Sequence, residues 1–207
     1  MSKKWRLKLT ATLEKMETKA ELRRHILHLR DSIPPLKRKT CSEAIAFRLM
    51  ALPEWNQAKG VFLYVSFRSE AETQYIIEAA LEQGKVVAVP YTDYERGVIV
   101  PSVLKDLKYD LAPRRFGLLE PKDTSLSPLS PQDIDLTVVP GCVFDNRGGR
   151  IGYGMGFYDR FLPDLPGSSL KVALAYEIQI VPLVPLDAHD CLMDMIITEK
   201  RVIAVSS

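Results

Sequence analysis

Cysteine is scarce in this sequence and scattered, at Cys41, Cys142 and Cys191. Three is an odd number, no pair forms C-x-x-C, and the wide separations exclude a compact disulfide framework. A reducing, cytoplasmic compartment is therefore expected. Histidine is equally sparse. His25, His28 and His189 have no metal-ligand spacing, and the first two read as helix-surface positions. Long apolar runs are missing too, with no stretch near the roughly 20 residues that a membrane-spanning helix needs. Charge of one sign is also lacking: 28 Lys+Arg against 26 Asp+Glu leave a formal net charge of +2. That balance supplies no global field for nucleic acid or membrane. Neither partner is expected, and the protein is expected to be a monomer. Two nucleotide signatures are absent as well. No glycine leads into Lys-Ser or Lys-Thr at Walker A spacing, and no G-x-G-x-x-G opens a helix directly after a strand.

What is present is a glycine cluster. Five of the 11 glycines fall between Gly148 and Gly156, framed by Asp145, Arg147 and Arg150 before and by Tyr158, Asp159 and Arg160 after. Glycine lets backbone approach a ligand closely. Such a loop, ringed by guanidiniums and a carboxylate, suits a phosphate chain and its divalent cation. A flexible surface turn is the alternative.

The rest of the chain reads as α/β. Its 207 residues, 46% hydrophobic, can bury one sizeable core. Thr18 and Glu21 form a capping box ahead of a helix to about Arg30, which Pro34-Pro35 ends. A second helix spans about 36–50. Residues 60–66 and 85–90 read as buried strands flanking a helix over 72–83 capped by Gly84, a unit that implies parallel pairing. A further strand over 96–101 is expected, then a loop-rich stretch over 105–133. IDLTVV and LKVALAY (170–176) are core strands, and the end is a hairpin turning at 199–201. The expected architecture is a Rossmann-like three-layer single domain: a largely parallel sheet with helices on both faces and a C-terminal hairpin. It is expected to occupy residues 18–207. Residues 1–17 are basic without an apolar core, and read as an unprocessed, partly disordered extension; an amphipathic targeting peptide is the alternative, with Glu14 and Glu17 against it. Ligands collect beyond the carboxyl ends of strands in such sheets. Three segments sit there: 66–72, the glycine loop, and Glu177 to Gln179, and all three are expected in one cleft.

In order and spacing, several short pieces resemble the 5-formyltetrahydrofolate cyclo-ligase family. They are Lys19-Ala-Glu-Leu-Arg23, Ser66 with Glu70-Ala-Glu-Thr73, Phe116 to Pro121, the block from Pro140 to Leu162, Ala175 to Gln179, Pro185, His189-Asp190 and Ile196 to Glu199. The glycine block is the specific part. Ile151 and Phe157 depart from it slightly, and Tyr153 stands where many members carry arginine.

The resemblance implies an enzyme that converts 5-formyltetrahydrofolate and ATP, with Mg²⁺, to 5,10-methenyltetrahydrofolate, ADP and phosphate. The γ-phosphoryl group would activate the formyl oxygen, and N10 would then close the ring. Positioning and charge stabilisation would carry the rate, without a protein nucleophile. ATP would be held by Lys19, Arg23, Arg150, Ile151, Gly152, Tyr153, Gly154, Met155, Gly156, Phe157 and Tyr158. Arg150 and Tyr158 would be the catalytic pair. The reduced folate, with or without a polyglutamate tail, would contact Val65, Glu70, Tyr153, Gly154, Met155, Gly156 and Phe157. Glu70 would accept the pterin N–H edge. Asp159 and Asp190 would reach Mg²⁺. For Phe157 and Tyr158, flanking a ring and packing in the core are equal alternatives. His189 reads as part of a turn, and Glu120 has no role derivable from sequence. A paralogue with another substrate or a regulatory role, a nicotinamide-dependent oxidoreductase and a nucleic-acid-binding module are the rival readings.

Overall fold

The structure, a computed structural model, describes residues 18–205, so the extension expected over 1–17 lies outside the described residues. Three helices come first: α1 (Lys19–Asp31), α2 (Pro35–Met50) and α3 (Pro53–Gln57). Then follow β1 (Gly60–Leu63), α4 (Gln74–Glu82), β2 (Val86–Asp93), β3 (Val98–Val103) and the short pair β4 (Leu111–Pro113) and β5 (Leu119–Pro121). β6 (Leu136–Val139), β7 (Val143–Asp145), β8 (Arg150–Ile151) and α5 (Phe157–Phe161) carry the glycine block. β9 (Leu170–Leu174), β10 (Ile180–Val181), β11 (Met195–Ile197) and β12 (Val202–Ala204) complete the chain. Among the described residues, no helix is long and apolar enough to cross a membrane.

The main sheet has the order β12-β11-β9-β6-β1-β2-β3. Its inner pairs are parallel, and β3 and β12 add antiparallel edges. The C-terminal hairpin is the β11–β12 pair. Both faces are buried, which is why the inner strands read as unbroken apolar runs. Val61, Leu63, Val87 and Val138 pack against Ile45 and Leu49 of α2, Trp55 of α3 and Ile77 of α4. Phe62, Ala88, Val139 and Ala173 pack on the other side against Phe161 of α5 and Phe144. The helices on the two faces are thus unequal, three against one short one.

A second sheet, β10-β7-β8, was not expected, because its strands are too short to carry a readable pattern. Leu22 and Ile26 of α1 pack on it with Val143, Ile151 and Val181. The first helix therefore covers this small sheet rather than the main one. Its capping box is formed: Thr18 Oγ1 accepts from the Glu21 N–H at 3.2 Å, and Glu21 Oε2 accepts from the Thr18 N–H at 3.2 Å. Pro35 starts α2 instead of ending α1, because a first-turn position needs no N–H. β1 stops three residues earlier than expected. Thr73 takes over the backbone there: its hydroxyl donates to Tyr64 O at 2.7 Å and accepts from Ser66 N–H at 3.0 Å. That exchange turns the chain out of the sheet toward Glu70.

Candidate active site

The sheet changes direction between β1 and β6, since the chain proceeds outward to β2 on one side and to β9 on the other. The loops leaving two adjacent strands there must separate, which opens a crevice at their carboxyl ends. A cavity of about 700 Å³ lies at this point, lined by Tyr64 and Val65 after β1 and by Pro140 after β6. Lys19 and Arg23 reach it from α1, Glu70 from the loop before α4, the whole run 150–159 from β8 to α5, and Asp190 from the C-terminal segment. The residues assigned to the site from sequence thus line one cavity.

Three expectations are corrected. The glycine block is not one loop but two turns. Gly148 and Gly149 close the β7–β8 hairpin away from the cavity, around the fully buried Asp145. That carboxylate accepts from Arg147 and Gly149 N–H at 2.9 Å each and from Val184 N–H at 2.8 Å, so it is an internal brace. Arg147 is exposed beside it and does not line the cavity. The segment Glu177 to Gln179 also stays out of the cleft. Gln179 is buried and donates to Gly141 O and Cys142 O at 3.1 and 3.0 Å, propping the strand before the site. Gly148 has φ +83°, and a Cβ there would stand 2.4 Å from Met193 O. Gly148→Ala should lower stability by about 1–3 kcal/mol, the scale for strain and overpacking. A melting curve should show this, while kcat of the folded fraction stays near wild type; a kcat loss without a melting change would return this turn to the site.

The second turn, Gly152 to Gly156, is the part that faces the cavity. Gly154 and Gly156 have φ +98° and +66°, conformations that side chains resist. Arg23 Nε donates to Gly152 O at 2.7 Å, and Arg160 Nη2 to Met155 O at 3.1 Å. Arg150, whose side chain is only 3% exposed, donates to Asp159 Oδ1 at 2.5 Å and to Pro140 O at 3.3 Å. Its Nε is buried without a partner, as is the Tyr158 hydroxyl. Buried polar atoms are nearly always paired, and these two unpartnered ones belong to residues that line the cavity. Burial pushes the Tyr158 phenol well above its usual pKa, which keeps it a donor. The Tyr158 ring packs on Phe62 at 6.3 Å, and Phe157 meets Tyr94 edge-on at 5.7 Å.

Glu70 is buried at 8% exposure. It accepts from Tyr153 OH at 2.5 Å and from Phe67 N–H at 2.9 Å. Burial pushes its carboxyl above the usual range, against the opposing pull of those two donors and of Arg30. Asp190 goes the other way. Burial pushes it up, but the Lys19 ammonium and the Asp187 N–H outweigh that and hold it low. Lys19 binds both Asp187 and Asp190. Ligand atoms of Asp187, His189 and Asp190 lie within 4.8 Å of one another. Carboxylates are the donors that Mg²⁺ prefers, so Asp187 and Asp190 suit that ion, whereas Asp159, paired with Arg150, is not part of this cluster.

Sequence reasoning missed Arg30, Asp31 and Thr92, which also line the cavity, and had no place for Glu120. Glu120 is buried, accepts from Thr92 Oγ1 at 2.6 Å, and pairs with Arg114 at 3.4 Å. A legible signal existed for Arg30: it follows Leu22 and Ile26 at four-residue steps on the buried face of α1.

Residues 15–199 match the model of the 5-formyltetrahydrofolate cyclo-ligase family. The chain belongs to that family. It is accordingly an enzyme of the ligase class, which replaces the oxidoreductase reading. A probable 5-formyltetrahydrofolate cyclo-ligase of Caenorhabditis elegans is 30% identical over 90% of this chain and 95% of its own. The 5-formyltetrahydrofolate cyclo-ligase of Mycolicibacterium smegmatis is also 30% identical, over 89% and 95%. The solved structure of Aquifex aeolicus 5,10-methenyltetrahydrofolate synthetase superposes with a TM-score of 0.80 at 33% identity, covering 91% of this chain and 93% of that one.

Proposed function

We propose that this protein converts 5-formyltetrahydrofolate to 5,10-methenyltetrahydrofolate, coupled to cleavage of ATP to ADP and phosphate. The observation that carries this reading is the shared cavity. It joins a buried carboxylate suited to a pterin edge, Glu70, to a glycine turn flanked by Arg150, Lys19 and Arg23. The names of the relatives point to the same conversion.

A formyl amide oxygen is a poor leaving group. Transfer of the γ-phosphoryl group to it breaks the bond to ADP and forms an N5-iminium phosphate. N10 then attacks that carbon, loses its proton, and phosphate departs, leaving the N5–C–N10 amidinium. Lys19, Arg23 and the backbone of 152–156 hold the phosphates. Arg150 and the Tyr158 hydroxyl meet the oxygens that gain charge during transfer. Val65 and Phe157 wall the folate, Tyr153 and Glu70 orient it, and Ile151 and Met155 shape the turn. Asp159 and Asp190 would hold Mg²⁺, which when bound supplies neutralisation of phosphate charge.

Both assigned metal carboxylates are paired with cations assigned to phosphate: Asp159 with Arg150 and Asp190 with Lys19. Asp159→Asn and Asp190→Asn should each raise the Mg²⁺ concentration for half-maximal rate several-fold, on the order of 1 kcal/mol of lost charge attraction. Folate affinity should hold, and the double variant should be non-additive. Lower melting temperatures with unchanged Mg²⁺ dependence would remove both residues from the metal site. The reaction itself is tested by mixing purified protein, MgATP and 5-formyltetrahydrofolate. The expected result is the near-UV absorbance of the conjugated product with one ADP per turnover. ADP release without that absorbance would mean another acceptor.

A further inference from the structure

Arg30 is a buried charge, 3% exposed, with no part in the reaction just described. We propose that Arg30 is a positioning residue for folate: it sets the direction of the Tyr153 hydroxyl and so keeps Glu70 in its acceptor-only form. This rests on the folate reading of Glu70.

The hydrogen-bond directions are forced. Arg30 Nη2 lies 3.0 Å from Tyr153 OH, and a guanidinium has donors and no acceptor. The phenol oxygen must therefore accept from Arg30, and its one proton points to Glu70 Oε1 at 2.5 Å. Glu70 Oε2 accepts from Phe67 N–H. Both carboxylate oxygens are thereby committed as acceptors, with lone pairs left for the two donors of a pterin edge. Arg30 is itself held by Nε to Ser69 Oγ at 2.9 Å and Nη1 to Gly141 O at 3.4 Å, and Ser69 donates to Asp31. One planar fork so ties three segments together: the loop carrying Glu70, the chain after β6, and the glycine turn that carries Tyr153. Lysine has no such fork.

Arg30 is the charged group that acts on the Glu70 carboxyl; Asp31 reaches this network only through Ser69. The titratable neighbours contributed by the other elements are neutral at working pH. They are the phenols of Tyr64, Tyr153, Tyr158 and Tyr176, all pushed up by burial, and the Cys142 thiol, pushed up to about 12. Without Arg30 the phenol is free to turn away, and burial is then opposed at Glu70 only by the Phe67 N–H.

The test compares Arg30→Gln, Arg30→Lys and Tyr153→Phe with wild type by kcat/KM for 5-formyltetrahydrofolate across pH. For Arg30→Gln and Tyr153→Phe the acid limb should move to higher pH. At its acid end KM for folate should rise about tenfold, the scale of one lost hydrogen bond to a charged group. At the alkaline end Arg30→Gln should approach wild type. Arg30→Lys should move the limb less, and the Gln/Phe double variant should be no worse than the worse single. A uniform loss at every pH with a lower melting temperature would make Arg30 merely structural and overturn the proposal. If Arg30→Gln does not fold, Tyr153→Phe decides alone, because its ring is half exposed and only the hydroxyl is lost; an unmoved limb overturns the proposal. Wild-type protein that binds no folate would sink the folate reading, and this inference with it.

Discussion

Arg150→Ala should lower kcat by about 10²–10³, the range for losing a preorganised donor aimed at developing charge. The expectation rests on geometry that holds the guanidinium in place before any ligand arrives. Its side chain is 3% exposed, pinned by Asp159 at 2.5 Å and Pro140 O at 3.3 Å, and its Nε is buried without a partner. A charge held this way costs no reorganisation during phosphoryl transfer, which is why its loss should appear in turnover rather than in ATP affinity. Arg150→Lys should restore only part, since an ammonium cannot serve Asp159, Pro140 and a phosphate oxygen from one plane. Steady-state kinetics at saturating MgATP reads the effect. Melting curves and folate binding separate it from unfolding, because the partly exposed Asp159 can be rehydrated when its partner goes. A raised KM for ATP with intact kcat would reduce Arg150 to a binding group.

Glu70→Gln should weaken folate binding by about 1–3 kcal/mol, roughly 5- to 150-fold in Kd, the cost of mispairing a buried polar group. ATP affinity should barely change. Stability should move the opposite way. Burial raises the Glu70 carboxyl despite its donors and Arg30, so the folded state favours the protonated acid. That contribution is fully present below the ordinary glutamate pKa and is lost as pH rises through the folded value. Relative to wild type, the glutamine variant should therefore gain stability as pH rises through that window, and the gain should vanish in acid. Glutamine can still accept from Phe67 N–H, so the fold has no reason to fail. Calorimetric titration with folate and ATP, with melting at several pH values, measures both. Equal loss for the two ligands, or a stability loss at neutral pH, would make Glu70 structural.

These two residues show how unevenly the site was legible. Glu70 and Arg150 stood out because each lies in a motif with the order and spacing of the family. Arg30 did not, because it lies in none of those motifs: its place four residues after Ile26 puts it on the apolar face of α1, but what that face packs against follows only once α1 meets the small sheet. Gly148 and Gly156 are alike as letters, yet one closes a hairpin against Met193 and the other opens α5 beside the cavity. The two-residue strand β8 separates them, and a strand that short has no periodicity to read.

By itself, the sequence determined the α/β class, the parallel inner strands, the capping box at Thr18, the closing hairpin and the family. These follow from local features: apolar runs long enough to be buried on both faces, a cap whose partners lie three residues apart, and motifs in fixed order. Only the tertiary structure decided that the β1 and β6 loops flank one crevice while the Glu177 to Gln179 segment turns inward as a prop. It also decided that Asp145 is a brace, and that Lys19 and Arg150 each hold a carboxylate across 171 and 9 residues of chain. The physical reason is that such pairings depend on where buried polar groups find partners. A carboxylate taken out of water must be matched by whatever donors the packed fold brings near, and those donors come from segments that the sequence leaves far apart.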